Sequence, residues 1–432
     1  MKRIISILLL VGAVSPATAV SKSHPLPDLA IPQCFGVNIH FNNEQLAAHI
    51  AWLKKAGIGW VRRDMTWSEI ERTKGVYDFA AYDGLIDALH DAGIRMLFIL
   101  DYGNPNYDRG RSPASAEARA AFSRFAAAAA KRYAGRVDAW EIFNEPNIEN
   151  FWKPKPNAGR YIALANEATE AMREAVPNAV IVGPALSGPF LHDVPAGKVS
   201  STYAFLDRVL KSKAAHEWDA VTIHPYRSPK DGPETAMEEF ENVRKIMQAH
   251  GIDPRTVPVI ASEWGYSTFI KGVDEDTQGA YAVREFLLAG IERMPFSIWY
   301  DWQDDSQDAS NSEYRFGLLR SGALRDSDRA EKTSKPAFNA VQELSGLLQG
   351  YRFDALITND GSVMVSRYVK AGQAAWAGWS VDNTPHTITI ALPPGHWRST
   401  HILRSDAAEI TSTAGQRNAF RVDKMPVVLL RE

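Results

Sequence analysis

Ile94-Arg95-Met96-Leu97-Phe98-Ile99-Leu100 is an unbroken apolar run that follows Gly93 and stops at Asp101-Tyr102-Gly103-Asn104. An alanine-rich, helix-patterned stretch comes next, Ala116–Tyr133, and then a second strand-like run, Val137-Asp138-Ala139-Trp140-Glu141-Ile142-Phe143. Short apolar runs of this kind read as strands buried on both faces. Two of them joined through a helix pair in parallel, because parallel strands need a crossover. The unit repeats in both directions. Before it, the strands Cys34–His40 and Gly59–Arg63 alternate with helical stretches Glu44–Ala56 and Tyr82–Ala92. After it, Ala179–Gly183, Ala220–Ile223, Val257–Ala261 and Phe296–Tyr300 alternate with Gly159–Ala175, Tyr203–Lys211, Glu234–His250, Thr277–Ala289 and Lys335–Leu348.

Eight strand–helix units in succession predict an α/β fold, a (β/α)8 (TIM) barrel over residues 31–350, with its site at the C-terminal strand ends. A doubly wound open sheet is the alternative, and no G-x-G-x-x-G turn supports it. From Tyr351 the texture changes to short strand candidates, Val363–Arg367, Ala374–Gly378, Thr387–Ala391, Ile402–Arg404 and Val427–Leu430, set apart by turns such as Asn359-Asp360-Gly361 and Pro393-Pro394-Gly395. Residues 351–432 are therefore expected to form a small β-sandwich-like domain. Its Trp376, Trp379 and Trp397 read as core or as sugar-binding rings, core being the simpler reading. The chain of 432 residues accommodates a barrel of about 250 residues and such an accessory unit.

Net charge is −3 with no lysine/arginine block, which argues against nucleic acid or an anionic membrane surface as partner. Lys2-Arg3, the apolar stretch Ile4–Val14 and Ala17-Thr18-Ala19 have the order of a signal peptide over residues 1–19. The expectation is a secreted or periplasmic protein whose mature chain begins near Val20. No later run is long enough to span a bilayer, and a monomer is expected. The lone Cys34 rules out an intramolecular disulfide and reads as a small core residue. No Cys/His cluster, H-E-x-x-H or phosphate loop calls for a metal or an organic cofactor.

Two strand ends carry the chemistry. Trp140-Glu141-Ile142-Phe143-Asn144-Glu145-Pro146-Asn147 and Ile260-Ala261-Ser262-Glu263-Trp264-Gly265-Tyr266 each run from apolar strand to a glutamate among aromatic and turn residues. A carboxylate at the mouth of a buried strand is costly to desolvate. Two of them brought together form the acid and nucleophile-or-base pair that glycosidic cleavage needs. Glu141 is in phase with Glu145 but deeper, and reads as the structural partner of an arginine.

Asn144-Glu145-Pro146 and Glu263 resemble the signature of the retaining glycoside hydrolases built on a (β/α)8 barrel, within which the chain is similar to family 39 and to neighbouring family 5 enzymes. Arg62-Arg63-Asp64-Met65-Thr66-Trp67, Lys74-Gly75-Val76-Tyr77-Asp78-Phe79, Leu100-Asp101-Tyr102-Gly103-Asn104, Ile223-His224-Pro225-Tyr226 and Trp299-Tyr300-Asp301-Trp302 extend the likeness over the whole barrel. The resemblance implies that Glu145 is the general acid/base and Glu263 the nucleophile. It implies that Arg63, Tyr226 and His224 are candidates to keep Glu263 ionised, that Asn144 meets the sugar 2-hydroxyl, that Trp299 is the floor beneath the sugar, and that His40 meets a ring hydroxyl. The strand-three and strand-eight motifs are most similar to bacterial exopolysaccharide hydrolases.

The function expected is thus retaining hydrolysis of a β-linked polysaccharide or oligosaccharide by double displacement, without metal or cofactor. A non-catalytic carbohydrate-binding protein and a metal-dependent barrel hydrolase using His40, His224 and nearby carboxylates are the alternatives.

Overall fold

A computed structural model describes residues 26–28, 30–188, 201–325, 334–404 and 407–432. The signal-peptide motif of residues 1–19 lies outside them. The barrel strands are β1 (Phe35–Asn38), β2 (Trp60–Thr66), β3 (Arg95–Asp101), β4 (Ala139–Ile142), β5 (Ile181–Ser187), β6 (Ala220–His224), β7 (Val259–Ala261) and β8 (Ser297–Trp299). They are all parallel in the order β7-β6-β5-β4-β3-β2-β1-β8. Between β7 and β8 the ladder narrows to one bridge, Trp264 with Trp299, whose backbone bonds close the cylinder.

The main helices are α1 (Leu46–Ala56), α2 (Ala80–Asp91), α3 (Ala116–Arg132), α4 (Ala158–Ala175), α5 (Ser201–Val209), α6 (Met237–Ala249), α7 (Glu275–Ile291) and α8 (Pro336–Leu347). Their ends follow local chemistry. The Ser115, Asn157 and Asp274 side chains accept from the backbone N–H three residues on and so start α3, α4 and α7. Gly57, at φ 78°, closes α1 in the left-handed conformation that glycine adopts without strain. The alanines of α3 leave no bulky side chain between it and α4, so the two helices approach closely, and Ala118, Ala121, Ala126, Ala129 and Ala130 are all buried.

Alternation along the strands sorts the barrel interior by depth. Trp60, Leu97, Ala139, Val182, Ala220, Ile260, Phe296 and Ile298 make an apolar layer at the N-terminal end, where Trp60 stacks on Phe296 at 4.0 Å. Two residues along come Arg62, Glu141, Thr222 and Ser262, all fully buried. A further step reaches Asp64, Asp101 and His224 at the mouth. Polar side chains thus accumulate towards the C-terminal strand ends, as a barrel with its site there requires.

The C-terminal unit comprises β9 (Arg352–Asn359), β10 (Val363–Lys370), β11 (Gln373–Ser380), β12 (His386–Ala391), β13 (Gly395–His401), β14 (Ala407–Ser412), β15 (Arg417–Val422) and β16 (Val427–Arg431). Six form a sheet in the order β14-β13-β16-β11-β10-β9, and β12 pairs with β15. This is more strand than the hydropathy suggests. Ile402–Arg404 lies in the turn after β13, while β9, β14 and β15 carry too many exposed polar residues to stand out as apolar runs. Trp376 and Trp397 meet edge-on at 5.0 Å in the core of this unit. Trp379 faces the barrel, its indole donating to Glu234 Oε1 at 2.7 Å. None of the three offers a flat face to solvent, so they brace the domain instead of binding sugar. Cys34 is free and half-buried just before β1, its thiol pushed up to about 12 by burial.

Candidate active site

Glu145 and Glu263 stand just past β4 and β7, and a carboxylate oxygen of each lies within 4.8 Å of the other. The chain reaches Glu145 through a tight turn. Phe143 and Glu145 have φ 68° and 43°, values that non-glycine residues adopt only when the surroundings hold them. The Glu145 N–H donates to Ala185 O at 3.0 Å, which ties the turn to β5 and aims Asn144 and Glu145 inward.

At the centre is Arg62. Its Nε donates to Glu141 Oε2 at 2.8 Å, one terminal nitrogen to Glu263 Oε2 at 2.6 Å, and the other to Asn144 Oδ1 at 2.8 Å. The sequence reading names Arg63 for this work, and the structure corrects it by one residue. Arg62 shares the inward face of β2 with Trp60 and Asp64, whereas Arg63 shares the helix-facing side with Val61 and Met65. Arg63 is held by Ile39 O and the Asn42 side chain, away from both glutamates. Glu141 is the arginine partner expected of it.

The two glutamates receive different donors. Glu263 accepts on both oxygens, from Arg62 and from the Tyr226 hydroxyl at 2.8 Å. Burial alone would raise its pKa, but neighbouring His224, the Arg62 guanidinium and the Tyr226 hydroxyl together outweigh this and the net direction is down. Glu145 has one close partner, His224 Nδ1, 2.7 Å from its Oε1. His224 Nε2 lies 3.3 Å from an Arg62 nitrogen and 3.1 Å from Ser262 Oγ. A guanidinium can only donate, so Nε2 accepts and Nδ1–H donates to Glu145 Oε1. The other Glu145 oxygen is left for a proton. The same logic orients Asn144: its carbonyl faces Arg62, and its NH2 is free to donate into the cleft.

His224 is completely buried. It is therefore a positioning residue behind Glu145 and not a substrate contact, a second correction. Trp299 is the third. At 0% exposed, with its indole donating to Phe316 O at 3.2 Å, it cannot floor a sugar site. Tyr300 beside it is half-buried, lies near Glu263, and meets His40 edge-on at 5.7 Å and Phe316 at 5.4 Å. His40 is exposed at the rim, its Nε2 3.5 Å from Asp301 Oδ2. A hollow of about 700 Å³ runs outward from it past Asn42, Trp302 and Asp305. A larger one of about 830 Å³, between Arg244, Ile252 and Arg293, lies at the other end of the barrel, remote from the glutamates.

Glu145, His224 and Glu263 are close enough together to be considered as metal ligands. Their donor set does not suit a cation, since Arg62 already places its positive charge on Glu263 and the histidine nitrogens are engaged. Among the described residues no helix is long and apolar enough to cross a membrane.

Comparison with known proteins bears on the fold. The glycoside hydrolase 42 family, described as beta-galactosidase, matches residues 39–100. A beta-xylosidase of Geobacillus stearothermophilus is 25% identical over 257 residues, 57% of this chain and 47% of that protein, so the match spans about half of that relative. A family 39 glycoside hydrolase from the gut symbiont Bacteroides cellulosilyticus WH2 superposes with a TM-score of 0.75 at 22% identity, covering 93% of this chain and 81% of that one. A monomeric beta-xylosidase from Caulobacter crescentus CB15 gives 0.62 at 15% identity, with 92% and 95% covered. The fold is that of a family 39-like (β/α)8 glycoside hydrolase barrel followed by an all-β unit.

Proposed function

We propose that this protein is an exported retaining glycoside hydrolase that cleaves a β-linked polysaccharide or oligosaccharide by double displacement. The observation that carries the proposal is the closeness of two carboxylates with opposite surroundings, Glu263 gripped on both oxygens and Glu145 on one. In this reading Glu263, kept ionised, attacks the anomeric carbon. Glu145, with His224 occupying Oε1, delivers the proton from its other oxygen to the leaving sugar. A glycosyl–Glu263 ester forms, and Glu145 then acts as base for the water that hydrolyses it. Asn144 NH2 donates to the 2-hydroxyl, a bond that strengthens as the ring approaches an oxocarbenium ion. Retaining enzymes hold their carboxyl groups about 5–5.5 Å apart, whereas inverting ones need room for water and about 6.5–9.5 Å.

The relatives' xylosidase and glycosidase activities support a β-glycoside as the substrate class. Within it, the motifs ending β3 and β8 favour an exopolysaccharide, the 1–19 motif favours export, and the monomeric Caulobacter relative favours a monomer. Proton NMR of the first product on an aryl β-glycoside should show a β-anomer. An α-anomer would count against the mechanism. Mature material beginning near Val20 tests export. A protein that binds glycans and releases no product would instead be the carbohydrate-binding alternative.

A further inference from the structure

The arc of the mouth from β8 through β1 and β2 to β3 bears carboxyl groups that the mechanism does not use. β5 and β6 fill the shorter arc between the two glutamates, where His224 is buried and Tyr226 half-buried, so the open side of the cleft faces the longer one. There Asp64 and Asp101 point inward from adjacent strands, Asp64 in register with Ile99 and Asp101 two pairs further along with Thr66. Asp64 is partly exposed; Asp101 behind it is fully buried, and neither of its oxygens has a hydrogen-bond partner of good geometry among the described residues. Asp301, on the β8 side, is likewise buried with Oδ1 unpartnered. A buried carboxylate without a donor is expensive, so these groups await either a proton or a ligand's hydroxyls.

We propose that Asp64, backed by Asp101, is the acceptor that recognises the hydroxyls of the glycone sugar, and that it selects neutral glycosides over uronic acids. The inference rests on the glycosidase reading above and adds the side of the cleft on which the glycone is read. Burial and the neighbouring Asp64 both push Asp101 well up from the ordinary carboxylate range, so Asp101 holds a proton and donates it to Asp64. Asp64 is the member of the pair that a ligand can reach. A row of carboxyl groups suits hydroxyl groups, which donate and accept. A sugar carboxylate would meet like charge there. The guanidinium groups nearby do not offset this, since Arg62 is committed to Glu141, Glu263 and Asn144, and Arg63 to Ile39 O and Asn42.

The test uses 4-nitrophenyl β-xyloside, β-glucoside and β-glucuronide with the full chain, together with deoxy versions of whichever neutral glycoside is cleaved. For the wild type, kcat/KM should fall about 10- to 100-fold at one or two deoxy positions, the range for losing a hydrogen bond to a charged acceptor. In Asp64→Asn the parent glycoside should lose a similar factor, and the deoxy penalty at those positions should largely vanish. The glucuronide should be cleaved at least about 100-fold more slowly than the glucoside. A flat deoxy series, a penalty undiminished in Asp64→Asn, or comparable rates on glucuronide and glucoside would each overturn the proposal. If Asp64→Asn does not fold, the wild-type deoxy and glucuronide series still decide it. Wild-type protein that cleaves none of the parents, alongside no labelling of Glu263 by a 2-fluoro glycoside, is a different result and overturns the glycosidase reading itself.

Discussion

Replacing Arg62 with methionine tests the arrangement most directly, because this buried guanidinium lies between Glu141, Glu263 and Asn144. Its nitrogen is 2.6 Å from Glu263 Oε2. With charge centres about 4 Å apart and an effective dielectric of about 20, the attraction is about 4 kcal/mol. Tyr226 and His224 remain in the variant, so Glu263 should move upward but keep part of its depression. The acid limb of kcat/KM on an activated aryl glycoside, set in the wild type below the ordinary glutamate range, should move up with it. Activity near neutral pH should fall further, because the Asn144 carbonyl loses the donor that orients it. Breaking the buried pair should also cost about 3–5 kcal/mol of stability, much of which Glu141→Gln should restore by removing the stranded charge. Chemical denaturation measures the second effect and the pH profile the first. A folded Arg62→Met protein with its acid limb within about half a unit of wild type would show that Arg62 does not keep Glu263 ionised.

Three other outcomes follow from the same geometry. Glu263→Ala should be inactive on every substrate, and added azide should give an α-glycosyl azide. Glu145→Ala should still form its glycosyl-enzyme from a substrate with an acidic phenol, and azide should accelerate turnover and give the β-azide; reversed products would exchange the two roles. Glu285, buried in α7 with both oxygens unpartnered, has its carboxyl pushed well up by burial and by Glu234. A raised folded-state value leaves stability intact below the unfolded pKa and removes it as pH climbs, so Glu285→Met should gain about 1–3 kcal/mol at pH 8 and less at pH 4, read by denaturation.

The barrel was legible because its strands are buried on both faces and so stand out as apolar runs, each followed by a helix-patterned stretch. Glu145 and Glu263 were legible for the related reason that a charge ending such a run is conspicuous. What sequence obscured was phase. Arg62 and Arg63 are adjacent and alike, and only the side of β2 each occupies separates a residue at the reacting centre from one at the rim. The signal was present: Val61 and Met65 mark the face packed on helices, which leaves Arg62, Asp64 and Thr66 for the interior. Trp299 and Tyr300 pose the same problem at β8, where the larger ring proved to be packing. Asp101 and Asp301 could not be weighed in sequence, since what distinguishes them is burial without a donor, a property of strands brought together from distant segments.

The difference between the glutamates is likewise not local. Each follows a short apolar strand and is flanked by aromatic residues, so neither segment by itself says which one carries a proton. The distinction comes from β2 and β6. Arg62 addresses Glu263 directly and Glu145 indirectly, since by taking up His224 Nε2 it sets the tautomer presented to Glu145. His224 and Tyr226, two residues apart around Pro225, then reach one glutamate each. A shift of the β6 end would therefore disturb both carboxylates at once. The acid and the nucleophile are held by a shared set of donors, so Arg62→Met should disturb the positioning of Glu145 through His224, read as an added loss on substrates with poor leaving groups, as well as the acid limb set by Glu263.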